Sequence, residues 1–367
     1  MNYRIESSQK EPAYLQLYKQ LRSDIARAVY PAGSRLPSKR LLAAELGLSL
    51  VTVEHAYALL CDEGYALSKE RSGYFVAFRA EDSFLSGAAL PQRLAPEPQL
   101  PPQAVDFPFS VLAKAMRAVL TESETQILQP SPPQGLFVLR QALCGFLLRA
   151  RGIRAEPSQI VFGAGAEYLY RLLPELFGRG ARFAIETPSY PKIEQVYRAA
   201  GAELERLPLG SDGIETEALN ASSADILHVS PYRGTAEGMR ASASKRAAYL
   251  RWASQGERYI VEDDFDSEFS VAKKAEETLF AHSHQNRVLY LNTFSGTISP
   301  ALRTAYLVLP PQLVASFQEK LGFYSCTVPT YNQLVLARLL TNGDFERHIN
   351  RVRRKKRKAL TNETATY

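Results

Sequence analysis

Cysteine is scarce in this sequence, and the little present cannot build a frame. Cys61, Cys144 and Cys326 are odd in number, far apart and set in apolar surroundings. Such a set fits reduced core thiols in a cytoplasm and excludes a disulfide scaffold or a cysteine metal site. Long hydrophobic runs are missing as well: no stretch of eighteen apolar residues occurs, so no segment is expected to span a membrane. The first residues, Met1 to Glu11, are polar and carry acid, without the basic-then-apolar order of a secretory signal. No repeat recurs at a solenoid period. Nor is there a large excess of one charge, since 44 Lys and Arg stand against 38 Asp and Glu, a net +6 with a pI near 9.1. Much of that excess sits in one block, Arg351, Arg353, Arg354, Lys355, Lys356, Arg357 and Lys358, read as a solvated helix face or an exposed, frayed tail in preference to a second DNA site. The mild basicity keeps nucleic acid among the partners to consider.

What is present is an ordinary globular composition, 46% hydrophobic and 22% charged, over 367 residues, a length that calls for two domains. The composition shifts once. Between Ala80 and Pro102 the periodic apolar pattern fades and Pro91, Pro96, Pro98, Pro101 and Pro102 accumulate, as in a semi-rigid linker. The expected division is therefore a first domain over 11–79, a linker over 80–104 and a second domain over 105–367.

In the first domain Leu15, Tyr18, Leu21, Ile25 and Val29 recur at helical spacing and predict a first helix ended by Pro31-Ala-Gly33. Ser38 can cap a second helix through Leu41, Leu42 and Leu46, stopped at Gly47. Ser49 can cap a third, with Val53, Ala56, Tyr57 and Leu60 on its apolar face. Tyr65 to Leu67 and Tyr74 to Val76 flank a polar turn, as two short strands would. Two helices joined by a short turn, then a hairpin, is the order of a winged helix-turn-helix. A recognition helix exposes small polar and basic groups at its N-terminal end, where they reach base edges while their neighbours grip phosphate. Ser49, Val51, Thr52 and His55 occupy that place. Arg35, Ser38, Lys39 and Arg40 are set for phosphate, and Lys69 and Arg71, beside Gly73, suit a wing.

The stretch Arg35-Leu-Pro-Ser-Lys-Arg-Leu-Leu-Ala-Ala-Glu-Leu-Gly-Leu-Ser49, followed by Thr52-Val and Ala56-Tyr, resembles the DNA-binding domain of the GntR family. It departs at Leu50, where the family usually has arginine. A guanidinium that could bind guanine bidentately is thus absent, a contact worth about 1–3 kcal/mol of discrimination. His55 and Lys39 are the candidates to compensate.

In the second domain Gln159–Phe162, Arg182–Ile185, Ile226–Val229, Arg258–Val261 and Val288–Leu291 are short apolar runs separated by helix-like stretches, which predicts βαβ units and a mostly parallel sheet. Several segments resemble the large domain of fold-type I enzymes, which use pyridoxal phosphate (PLP). They are Pro132–Arg140, the Gly-rich turn Phe162–Leu169, the loop Glu186–Tyr190, the acidic strand end Val261–Phe269 and Thr293–Arg303. A Gly-rich turn opening a helix is also, physically, an anion site. The order of motifs, from winged helix through linker to this fold, resembles the MocR-type subfamily of GntR regulators. That resemblance implies a phosphate cradle at Gly165, Ala166, Thr293, Ser295 and Arg303, an aromatic neighbour of the ring at Tyr190, and a partner for its nitrogen at Asp263.

The departures decide the expected chemistry. The residue after Ser295 should be the lysine that bonds PLP, and it is Gly296; without an amine, covalent capture and its proton shuttle fail. Phe265 stands where related regulators often carry tyrosine, and Arg233 where the resemblance places asparagine or histidine. The chain looks short around Asp106 to Pro108, and after Lys358 it lacks the small C-terminal domain. The expectation is a cytoplasmic transcriptional regulator that binds double-stranded operator DNA as a homodimer. Its aminotransferase-like part would be an effector or dimerisation module for a small amino-acid or vitamin B6-related effector, with PLP held non-covalently or not at all. The rival readings are a PLP-dependent aminotransferase with an appended DNA-binding domain, and a dimerisation scaffold without a ligand.

Overall fold

The computed structural model describes residues 3, 5, 11–70, 72–79, 107–178, 180–232, 240–265, 267–270 and 277–364, with side chains through residue 359. The chain divides into two compact units, Met1–Pro101 and Pro102–Tyr367. The proline-rich stretch 80–104, Arg71, Asp106 and Arg233 lie outside the described residues.

The first unit holds α1 (Ala13–Ala26), α2 (Lys39–Leu46), α3 (Leu50–Asp62) and the antiparallel strands β1 (Ala66–Lys69) and β2 (Gly73–Val76). Local chemistry sets each boundary. The Ser38 hydroxyl accepts from the Leu41 N–H (3.2 Å), and α2 ends at Gly47, whose φ of 65° suits glycine. The Ser49 hydroxyl likewise accepts from the Thr52 N–H (3.1 Å). The first helix stops one turn short of expectation: Ala28 turns left-handed, and Val29 is left 61% exposed. A third short strand segment completes the wing sheet. The Gly33 N–H bonds the Val76 carbonyl (2.8 Å), the Leu36 N–H bonds the Tyr74 carbonyl (2.9 Å), and Arg35 bridges Phe75. Leu17, Leu21, Leu42, Val53, Tyr57 and Leu60 are fully buried between these elements, and the Tyr57 hydroxyl donates to the Pro37 carbonyl (2.7 Å), so its burial leaves no orphan donor.

The second unit runs α4 (Phe109–Glu122), α5 (Glu124–Ile127), α6 (Phe137–Arg151), β3 (Ile160–Gly163), α7 (Ala166–Phe177), β4 (Arg182–Thr187), α8 (Pro191–Ala199), β5 (Glu203–Gly210), β6 (Gly213–Ile214) and α9 (Thr216–Ala221). It continues with β7 (Ile226–Val229), α10 (Ala243–Ser254), β8 (Tyr259–Asp263), α11 (Leu279–His282), β9 (Val288–Thr293), β10 (Ala305–Val308), α12 (Pro311–Leu321), α13 (Thr330–Thr341) and α14 (Asp344–Thr364). The sheet order is β3-β10-β9-β8-β7-β4-β5-β6. From β9 to β5 the pairings are parallel, whereas β10 is antiparallel to both its neighbours and β6 to β5.

The five expected strands are present. Three others escaped the sequence pattern: β5 is partly polar and contains Pro208, β6 is two residues long, and β10 is a four-residue apolar run like β3 and β7 that nothing local distinguishes. Helices cover both faces, so successive residues of β9 enter different cores, Tyr290 one and Leu289 and Leu291 another, and the strand reads as a continuous apolar run. The basic block lies on α14, mostly exposed. Arg353 is the exception, donating from Nε to the Glu268 carbonyl (2.6 Å), while Lys356 sits 5.1 Å over the Phe269 ring. No helix among the described residues is long and apolar enough to cross a membrane.

Candidate functional site

In the first unit the capped start of α3 is the focus. Ser49 and Thr52 are spent on each other: besides the cap, their hydroxyls lie 2.7 Å apart in a hydrogen bond. Lys39 is also engaged, donating to Glu54 Oε1 at 2.5 Å and lying 5.6 Å over the Tyr74 ring. The hydrogen bond to Glu54 raises the Lys39 pKa. Lys39 therefore ties α2 to α3, and does not reach freely outward as the sequence suggested. His55 is exposed and meets the edge of Tyr14 at 5.6 Å. Arg35 packs across the root of the wing, where a Cβ on Gly73 would lie 3.1 Å from its Nε; with Gly73 at φ 104°, both space and conformation call for glycine. Ser38, Arg40, Ser49, Val51 and Lys69 are exposed, with Lys69 4.7 Å over the Phe75 ring.

In the second unit the topology gathers the residues expected around a cofactor. Because β10 is antiparallel to both β3 and β9, the C-terminal ends of β3, β4, β8 and β9 and the start of β10 share one sheet edge. In open α/β sheets that edge is where ligands bind. Gly165 and Ala166 follow β3, Tyr190 precedes α8, Asp263 ends β8, Thr293 and Ser295 close β9, and Arg303 precedes β10. Gly165 has φ 94°, and a Cβ there would lie 2.5 Å from Arg303 Nη2, so backbone and guanidinium meet directly. Thr293 donates to the Thr304 carbonyl and accepts from the Ser295 N–H, both at 3.1 Å, which fixes the turn that presents Gly296 to solvent. Tyr190 is 37% exposed, not a core aromatic.

Asp263 is 4% exposed. Its Oδ2 accepts from the Tyr170 hydroxyl (2.5 Å) and lies 3.5 Å from His228 Nε2, while His228 Nδ1 is 2.7 Å from the Tyr197 hydroxyl. His228 Nε2 is buried and makes no hydrogen bond among the described residues. Burial, reinforced by the Asp263 charge, drives both tyrosine pKa values upward, so they stay protonated donors.

One residue that the sequence reading missed changes the cradle. Glu167, in the first turn of α7, accepts from Arg303 Nη2 (2.7 Å) and Lys192 Nζ (3.0 Å). Burial alone would raise its pKa. Hydrogen bonds from Lys192, Arg303 and its own backbone N–H override this and bring the carboxyl down to about 2. A carboxylate thus already answers the cations and helix end that a phosphate would use. As arranged, these residues do not fit covalently held PLP: Glu167 occupies the Arg303 and Lys192 donors that a phosphate would take, and residue 296 carries no amine.

The rest of the acidic motif forms a buried ionic cluster. Asp264 pairs with Arg151 and accepts from the Tyr290 hydroxyl (2.6 Å). Glu268 accepts from Asn292 (2.6 Å), and Glu262 takes the Leu279 and Phe280 N–H groups at 2.7 and 2.9 Å. Burial, helped by the Asp264 charge, pushes the Glu262 carboxyl up to about 8. Beside the same strand ends, burial moves Glu186 to about 7 against the Ser230 N–H, which bonds it at 3.0 Å. Arg151 ends α6, far from the motif in sequence, so no local pattern marks it as the motif's counter-charge.

With this geometry in hand, the chain can be set beside known proteins. Residues 13–76 match the family described as bacterial regulatory proteins, gntR family, and residues 103–364 match aminotransferase class I and II. The HTH-type transcriptional regulator YdeL of Bacillus subtilis is 32% identical over 95% of this chain and 77% of its own length. The HTH-type pyridoxine biosynthesis transcriptional regulator PdxR of Corynebacterium glutamicum is 30% identical over 95% and 78%. Among solved structures, the multiple substrate aminotransferase of Thermococcus profundus superposes with a TM-score of 0.61 at 24% identity, covering 68% of this chain and 64% of that one. That likeness shows the fold of the second unit, a fold-type I aminotransferase-like domain, and the family match over residues 13–76 makes the first unit a GntR winged helix-turn-helix.

Proposed function

Because the chain belongs to the HTH-type transcriptional regulators that join a GntR DNA-binding domain to an aminotransferase class I and II domain, we propose that it works in the cytoplasm as a homodimer on operator DNA, with a second domain that senses or dimerises and does not transaminate. The DNA-binding domain runs over 11–79, the linker over 80–104 and the aminotransferase-like domain over 105–367.

The observation that carries this reading is the capped, outward-facing start of α3. Ser49 holds the helix end, and Arg35, Arg40, Val51 and His55 lie at or near it, exposed to solvent. With α3 in the major groove, Arg35, Arg40, Lys69 and Arg71 serve phosphate, and Ser38 and Lys39 fix α2 in register. In the second domain Gly296 supplies no amine for covalent PLP, and Glu167 opposes its phosphate. Asp263, with its Tyr170 and His228 partners, remains to hold a small amino-acid or vitamin B6-related effector; the name of PdxR supports the second. Exposed Phe109, Leu128 and Phe323 offer apolar surface for a second copy.

Two experiments test the reading. A mobility shift on the DNA upstream of its own gene, at low salt where phosphate contacts are strongest, should show a dimer-sized complex; no shift refutes DNA binding. Incubation with PLP followed by dialysis should leave no absorbance band near the visible edge, and a band that survives refutes the loss of covalent capture.

A further inference from the structure

The start of α3 exposes aliphatic surface in place of hydrogen-bond donors. Leu50 and Val51, its first two residues, are 41% and 60% exposed. Among the described residues neither joins the apolar core of the first unit, which draws on Val53, Ala56, Tyr57 and Leu60 of the same helix. The polar groups around them are committed elsewhere: Ser49 and Thr52 bond each other, and Lys39 is tied to Glu54. His55, one turn beyond Val51, is the polar side chain left on that face. The flanking charges, Arg35, Arg40 and Lys69, are cationic and exposed, which complements a duplex and no apolar protein partner.

In the major groove one base edge carries an apolar group, the C5 methyl of thymine. Guanine, adenine and cytosine present N7, O6, N6 or N4, and pressing an aliphatic side chain on these removes their water without replacing the hydrogen bond. Building on the operator-binding reading above, we infer that Leu50 and Val51 read thymine through its methyl group. Operator half-sites then carry T at the base pairs beneath the first turn of α3, at the place where an arginine would have read guanine.

The test uses the full chain and a duplex selected from random DNA. Each thymine of the half-site is replaced in turn by 2′-deoxyuridine, which removes the methyl and nothing else. One or two positions should each lose about 4-fold in affinity, the equivalent of one buried methyl group. Leu50→Ala or Val51→Ala should erase the thymine-to-uracil difference at its own position while leaving the salt dependence unchanged. Leu50→Arg should move the selected base from T to G. Both residues are exposed, so far-UV circular dichroism should be the same for all variants. If the protein binds its selected duplex but no uracil substitution weakens it, or if both alanine variants keep the full uracil effect, the inference is overturned. If no duplex binds even at low salt, the operator-binding reading itself fails, and this inference falls with it.

Discussion

Arg151→Met should be among the most damaging single changes in the aminotransferase-like domain, although it lies away from the surface. The Arg151 side chain is 4% exposed and that of its partner Asp264 is fully buried. Its charge also acts on Glu262 and Glu268, so one guanidinium answers three buried carboxyls. Methionine fills the volume without the charge. Removing one partner of a buried pair typically costs about 3–5 kcal/mol, because the survivor is left desolvated and unpaired. With the urea sensitivity of a domain this size, the unfolding midpoint should fall by roughly 1 to 2 M. Trp252 is the sequence's single tryptophan and is 2% exposed in the core of the second unit, so its fluorescence follows this domain alone. The double variant Arg151→Met with Asp264→Asn should recover part of the loss, since the asparagine oxygen still accepts from the Tyr290 hydroxyl. The single variant should also suffer less at pH 5.5 than at pH 8, because burial raises the Glu262 and Glu268 carboxyls to about 8 and about 7, so both are protonated at the lower pH and need no counter-charge. A midpoint within 0.3 M of the parent (roughly 1 kcal/mol), or a double variant worse than the single one, would refute the claim that Arg151 is the counter-charge of this buried cluster.

Three further outcomes are expected. Ser49→Ala removes the cap of α3 and should destabilise the first domain by about 1 kcal/mol, read as a lower thermal midpoint by circular dichroism and a weaker DNA complex. Burial lifts the Glu186 carboxyl from its usual 4.5 to about 7, so the native state retains a proton that the unfolded chain loses. Its stabilising effect is complete below about pH 4.5 and fades as the pH rises through 7, by at most roughly 3 kcal/mol. Glu186→Gln, which keeps an acceptor for the Ser230 N–H, should flatten the dependence of the urea midpoint on pH across that window; an unchanged slope contradicts the assignment. Glu167→Gln should free Arg303 and Lys192 and tighten binding of inorganic phosphate by roughly three- to tenfold, measured by calorimetry, whereas unaltered binding would show that Glu167 does not close the cradle.

Local rules determined a good deal of this protein. Ser38 and Ser49 before apolar runs, Gly47 after one, and two short strands around a polar turn are decided within a few residues, so the winged helix was legible from the sequence. Strands buried on both faces announce themselves as continuous apolar runs, which is why β3, β4, β7, β8 and β9 could be placed. Glycine at 296 was likewise plain to read. Tertiary structure decided what depends on distant partners. The place of β3 beside β10 rests on pairing across more than a hundred residues. The pairing of Arg151 with Asp264 joins the end of α6 to the end of β8, and the hold of Arg303 and Lys192 on Glu167 joins the segment before β10 and the first turn of α8 to the first turn of α7. Charge interactions reach through space and take no account of sequence separation, so the sequence could supply a carboxylate and a guanidinium without saying that they would meet. For the same reason Lys39 looked free to reach DNA until the packing of α2 on α3 brought Glu54 to it.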